Sequence, residues 1–167
     1  MIYTETIYIV MGRPKVGKST ASGILARLLN KKWGDTSDII YKVLADRRGT
    51  TVDVLRRIPK EELRPDLIAV GNELCNHSPL ALSYALVQNG CNIICGVRRK
   101  SELTILVNKL KLDGFNVVTI WIDRDQVLTI EDNTEVTKND CGVCINNSWD
   151  LIQLEKEISW VFVEKEP

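Results

Sequence analysis

The stretch Gly12-Arg13-Pro14-Lys15-Val16-Gly17-Lys18-Ser19-Thr20 decides the fold. It fits G-x-x-x-x-G-K-[ST], the spacing of a loop that wraps phosphate. Ile7-Tyr8-Ile9-Val10-Met11 precedes it, an apolar, largely β-branched run suited to a buried parallel strand. From Ser19 to Leu29 the spacing predicts a helix, with Ala21, Ile24, Leu25 and Leu28 on one face. Strand, glycine loop and helix are what the chemistry needs. Glycines let backbone N–H groups turn inward around phosphate oxygens, and the helix N-terminus adds its positive dipole end. Lys18 is placed to reach the β- and γ-phosphates of a nucleoside triphosphate, and the Ser19 hydroxyl to hold Mg²⁺.

Working outward, Trp33 to Thr36 predicts a short second strand ending at Asp35. Ser37 offers an N-cap and Asp38 falls in the first turn of a helix over Ile39–Ala45 that stops near Gly49. Three short helical stripes follow. They are Val52, Leu55 and Ile58; Leu63 to about Asn76; and, after a Ser78-Pro79 cap, Leu80 to Asn89-Gly90. Cys91–Cys95 reads as the third strand and opens into Gly96-Val97-Arg98-Arg99. Glu102 to Leu112 is an amphipathic helix, and Val117–Ile122 a fourth strand ending at Asp123-Arg124. Val143–Ile145 is the fifth strand. Leu151 to Val163 closes the chain as a helix with Leu151, Leu154, Ile158 and Val161 inward.

Alternation of strands and helices argues an α/β three-layer sandwich, a five-stranded parallel sheet with helices on both faces. With 167 residues and no linker or repeat, the expectation is one domain over 1–167. Two stretches lack a strand: a helical insertion at about 37–90 and a lid at about 124–140. The insertion, between the second and third strands, would overhang the carboxyl edge of the sheet, where ligands bind in open α/β folds.

Composition narrows the partners. Lys plus Arg equals Asp plus Glu, 22 against 22, so no global basic field draws the chain to nucleic acid. Five scattered cysteines suit a reducing compartment. No apolar run approaches ~20 residues, which argues against a membrane span, and no signal peptide is evident. A cytoplasmic protein, in a host cytoplasm if phage-encoded, is therefore expected. Oligomeric state is not set by the sequence.

The layout looks like the small nucleotide and metabolite kinases, with an acceptor-binding insertion after the second strand and a lid after the fourth. GTPases would add an Asn-Lys-x-Asp motif, which is missing. A closer likeness lies in Gly34-Asp35-Thr36-Ser37-Asp38, in Cys95-Gly96-Val97-Arg98-Arg99 with Glu102-Leu103, and in Asp132-Asn133-Thr134-Glu135 followed by Ile145-Asn146-Asn147. These resemble phage deoxynucleoside monophosphate kinase relatives, most of all the bacteriophage 5-hydroxymethyluracil DNA kinases. The resemblance implies ATP-dependent phosphorylation of a hydroxymethyl group on a base in phage DNA. The third strand ends in Cys95-Gly96 where many such relatives carry an acid, leaving Mg²⁺ to Ser19, the phosphates, water and Asp35.

Roles follow from position. Gly12, Arg13, Pro14, Lys15, Val16, Gly17, Lys18, Ser19 and Thr20 form the donor loop. Arg98, Arg124 and, less so, Arg99 leave the third and fourth strands, where a guanidinium braces a phosphoryl group or an acceptor phosphate. A hydroxyl loses its proton as it attacks, so Asp38 or Asp35 is placed as the general base. The bland alternative is that Asp38 only favours a helix N-terminus. Lys42 to Arg64 carries seven cations against four acids, the place for DNA phosphate contacts if DNA is the acceptor and a solvated face otherwise. Tyr41 and Tyr84 are stacking candidates or core. The four tryptophans read as core or interface aromatics. Cys141-Gly142-Val143-Cys144 precedes a strand rather than a helix, which argues a structural rather than redox role, and His77 reads as a polar loop residue. Two alternatives stay open: a deoxynucleoside monophosphate acceptor, and a P-loop module that binds nucleotide without transfer.

Overall fold

The computed structural model describes residues 5–125 and 134–163. Five strands form one parallel sheet in the order β2-β3-β1-β4-β5: β1 Glu5–Met11, β2 Trp33–Asp35, β3 Ile93–Cys95, β4 Phe115–Asp123 and β5 Val143–Asn146. β1 lies between β3 and β4, with Val10 opposite Cys95 on one side and Ile120 on the other.

Strand periodicity splits the core in two. Ile7, Ile9 and Met11 of β1 face a cluster with Leu103, Leu106 and Leu110 of α6 (Lys100–Leu112) and Leu86 of α5 (Ser83–Gln88). Val10 faces the other way, onto Ala21, Ile24 and Leu25 of α1 (Lys18–Leu29) and Leu154 and Ile158 of α7 (Leu151–Phe162). Tyr8 shares that face, edge-on to Phe162 at 5.7 Å between ring centroids. Each fully buried Ile or Met here is worth roughly 1.5–3 kcal/mol.

The insertion has a core of its own. Tyr41, Leu44 and Ala45 of α2 (Thr36–Arg47) pack on Leu55 of α3 (Val52–Arg56) and on Leu63 and Val70 of α4 (Lys60–His77).

Four local expectations are corrected. The N-cap of α2 is Asp35, not Ser37; Asp35 ends the strand in extended geometry, and its carboxylate accepts the Ser37 N–H at 2.8 Å. Ser78-Pro79 caps no helix. Ser78 closes α4 through Leu74 O, Pro79 to Leu82 form a turn, and α5 starts only at Ser83. Leu151 is exposed, because it lies in the first turn of α7 beyond the buried Leu154–Ile158 stripe. His77 is the last residue of α4 rather than a loop residue. Trp121 is buried and Trp33 packs on the core, whereas Trp149 and Trp160 are exposed. No helix among the described residues is long and apolar enough to cross a membrane.

One buried carboxyl stands out. Glu102, 6% exposed on α6, has an oxygen with no hydrogen-bond partner among the described residues, and the neighbouring Ser83 is fully buried. Burial raises its pKa above the ordinary 4.5, while Ser83 and Arg99 oppose the shift. The folded chain then binds this proton more tightly than the unfolded chain, so stability falls as pH rises from about 4.5 through the raised value. Glu102→Gln should become increasingly more stable than the parent as pH rises over that window. Urea midpoints of both proteins at about pH 5 and pH 8 measure it, and a difference flat with pH counts against it.

Candidate functional site

The loop between β1 and α1 has the shape its sequence requires. Gly17 takes φ +93°, a left-handed conformation that L side chains rarely adopt, and ends the loop as the N-cap of α1. No side chain caps α1 and its first turn has no acidic residue. Its leading N–H groups therefore have no protein carboxylate, which suits an anion. Ser19 and Thr20 are exposed at this end, Lys15 is also left-handed at φ 62°, and Lys18 Nζ donates to Arg13 O at 2.7 Å across the loop. The residues present thus fit a nucleoside triphosphate.

At the neighbouring exit, Asp35 ends β2 directly opposite Cys95, the last residue of β3. Asp35 and Asp38 make a reciprocal capping box, Asp38 Oδ2 accepting the Asp35 N–H at 3.4 Å. Asp38 Oδ1 pairs with Arg56 at 2.5 Å, and the Arg56 guanidinium lies 5.6 Å from the Tyr41 ring centroid. Cys95 is fully buried. Burial first and the Asp35 carboxylate second push its thiol up to about 12, while Lys18 acts in the opposite sense. The residue at the end of β3 is thus a neutral thiol near neutral pH, and the carboxylate that would meet a cation here is Asp35. One hydroxyl, Ser19, and one carboxylate, Asp35, are hard oxygen donors of the kind Mg²⁺ takes beside phosphate. Among the described residues no group of three or more His, Cys, Asp or Glu could hold a metal without such help.

The arginines are placed differently from one another. Arg98 follows buried Val97 and is exposed, its side chain without a hydrogen-bond or ion-pair partner among the described residues. Its carbonyl accepts N–H groups of Glu135 at 2.8 Å and Val136 at 3.1 Å, so the chain returning from the expected lid is fastened at the β3 exit. Arg99 is committed elsewhere, donating to Asn72 of α4 at 2.7 Å. Arg124 is exposed just past β4, with its backbone N–H on Asp123 Oδ1. Of the expected lid, 126–133 lie outside the described residues, as do Asp132 and Asn133 of the resemblance.

The insertion uses part of its own charge. Arg47 makes a two-pronged pair with Glu73 at 2.8 Å, and Arg48 pairs with Asp66. With Arg56, three of the seven cations counted over 42–64 are engaged, while Lys42, Arg57, Lys60 and Arg64 are exposed with no ion-pair partner among the described residues. Tyr41 is core. Tyr84 donates to Asp113 at 2.6 Å, at the C-terminal end of α6 and hence at the amino edge of the sheet, away from the loop. Cys144 is exposed on β5, and Cys141 is pushed up to about 11 by burial.

A residue given no role from its sequence also belongs here. Asn147, just past β5 and buried, donates through Nδ2 to Val16 O at 2.7 Å. The partners are 131 residues apart, so no local pattern reveals the contact.

No family model matches the chain, and no curated protein matches it. Solved structures with a similar outline include a candidate kinase from Chloroflexus aurantiacus, 21% identical at a TM-score of 0.42, with 72% of this chain and 60% of that chain covered. Shikimate kinase from Aquifex aeolicus is 16% identical at 0.46, covering 93% and 94% of the two chains. The APS kinase CysC of Mycobacterium tuberculosis is 12% identical at 0.48, covering 92% and 93%. The likeness is one of backbone outline; the chemistry rests on this chain's own residues.

Gly96 gives the site a sensitive point. It holds φ +103°, and a Cβ there would collide with Thr36 Oγ1 and come within 3.1 Å of Asp35 Oδ1. Gly96→Ala should cost roughly 1–3 kcal/mol, read as a lower urea midpoint. An unchanged midpoint would mean that the β2 and β3 exits are looser than this geometry.

Proposed function

We propose that the protein is an ATP-dependent phosphotransferase with a hydroxyl acceptor. The observation that carries this reading is the uncapped N-terminus of α1, opened by left-handed Gly17 and bearing Lys18 and Ser19, at the carboxyl edge of the sheet where Asp35 ends β2. A donor-side cation and a carboxylate thereby lie along the same carboxyl edge of the sheet. Mg²⁺ bound with ATP would lie against Ser19 and Asp35 and would neutralise charge on the phosphates.

Asp38 is the acceptor-side base in this scheme. Its pair with Arg56 is exposed, so it orients the carboxylate at little energetic cost to a competing hydroxyl. The hydroxyl passes its proton to Asp38 as its oxygen bonds to the γ-phosphorus; the bond from that phosphorus to the bridging oxygen breaks and ADP leaves. Arg98 and Arg124, exposed at the same edge, brace the transferred group.

The finer identity of the acceptor rests on sequence resemblance: the hydroxymethyl group of 5-hydroxymethyluracil in DNA. A base within a duplex must be flipped out or single-stranded to reach such a site. Lys42, Arg57, Lys60 and Arg64 are the cations available to hold the backbone.

Incubation with γ-labelled ATP and 5-hydroxymethyluracil DNA should label the DNA, and Lys18→Ala should abolish the label. Asp38→Asn should lower kcat by roughly 10²-fold with KM for ATP little changed. Label on free deoxynucleoside monophosphates, insensitive to Asp38→Asn, would instead select a monophosphate acceptor. No transfer to either would leave a nucleotide-binding module.

A further inference from the structure

The β5 exit does more than end a strand. Asn147 N–H donates to Asp123 O at 2.7 Å, fastening the residue to the end of β4. Ser148 N–H donates to Asn146 Oδ1 at 2.8 Å, Ser148 Oγ accepts from Asp125 N–H at 3.0 Å, and Asn146 N–H donates to Glu157 of α7 at 3.0 Å. Asn147 is thus held from behind by β4, α7 and its own turn. Its side chain points the other way, onto Val16 O. A carbonyl can only accept, so the carboxamide must present its N–H₂ there.

That contact fixes a peptide plane. The Val16 carbonyl and the Gly17 N–H belong to one peptide group, and in a trans peptide they point in opposite directions. Fastening the carbonyl to Asn147 turns the Gly17 N–H away from the carboxamide. The fit is close: a Cβ on Gly17 would land on Asn147 Nδ2. The glycine thus serves two ends, its left-handed φ and room for the carboxamide.

We propose that Asn147 is a positioning residue for the donor, holding the Val16–Gly17 peptide so that the Gly17 N–H faces bound phosphate. This rests on the reading of residues 12–20 as a triphosphate loop. A purely structural asparagine would satisfy the Val16 carbonyl and stabilise the fold without favouring phosphate. The two roles separate by ligand. Inorganic tripolyphosphate engages only the phosphate loop, whereas ATP adds the nucleoside.

Calorimetric titration of the full chain with ATP–Mg²⁺ and with tripolyphosphate–Mg²⁺ provides the test, alongside urea midpoints to fix the folded fraction. Asn147→Ala should weaken both ligands by about tenfold and in equal proportion. Asn147→Asp keeps the shape but sets an acceptor against an acceptor and adds negative charge near the loop; it should weaken both at least as much. Asn147→Ser keeps a donor and should fall between the parent and Asn147→Ala, and it stands in if the alanine variant does not fold. A lowered midpoint with unchanged affinities overturns the proposal, as does loss of ATP binding with tripolyphosphate untouched. If the parent chain binds neither ligand, the triphosphate reading itself falls and the role of Asn147 falls with it.

Discussion

The structure depends on β1 being buried on both faces while hydrogen-bonded on both edges. Ile7, Ile9 and Met11 fill one core and Val10 the other, and the strand pairs with β3 and β4. A strand so enclosed has almost no freedom to slip, because a one-residue shift would exchange its two apolar sets. Its end is therefore fixed in space, and so is the loop that leaves it. Parallel pairing brings Asp35, Cys95, Asp123 and Asn146 to the same edge, since each lies at or near the carboxyl end of its strand. The ordinary demands of core packing thus gather chemically different residues from five distant parts of the chain.

Charge at that edge is arranged sparingly. The end of β3 carries a buried thiol, and burial keeps it protonated. A second carboxylate beside Asp35 would repel it in a poorly solvated corner, whereas a neutral thiol leaves Asp35 the local negative charge. Asp38, one helical turn further on, has its negative charge met by Arg56. One acid therefore caps its own helix beside Gly96 while the other is turned towards Arg56 of the insertion. Glycine at position 96 makes the arrangement possible by leaving space for Asp35 and Thr36.

Much of this was legible in the sequence for local reasons. The apolar run at 7–11, the glycine loop and the helix stripe from Ala21 to Leu28 carry their own periodicity, and β4 and β5 read almost as clearly. What escaped was either competition between neighbours or contact across the chain. Asp35 displaced Ser37 as cap because the strand ends at Asp35, a fact of sheet length rather than of capping preference. The Ser78-Pro79 pair has a good cap signature, but Ser78 was already engaged in closing α4. Counting charges over 42–64 gave an excess of three, and it missed Glu73 and Asp66 because they lie on α4, beyond the counted window. Asn147 escaped for the same reason in stronger form, its partner being 131 residues away.

The separate core of the insertion gives these contacts a mechanical meaning. Tyr41, Leu44, Leu55, Leu63 and Val70 pack chiefly with one another, so α2, α3 and α4 share few apolar contacts with the two cores that flank the sheet. What joins this cluster to the sheet is Ile39 of α2, which packs on the β1–α6 core, together with the Asp35–Asp38 capping box and the Arg99–Asn72 bond. Exposed polar contacts of this kind are individually weak, and a cluster held by them can shift as a unit at lower cost than a packed core can deform. The loop side of the site is different, being clamped by β1, by α1 and by Asn147. A rigid loop opposite a separately packed insertion is the division of labour expected where one ligand must be held in a fixed geometry and a second admitted beside it.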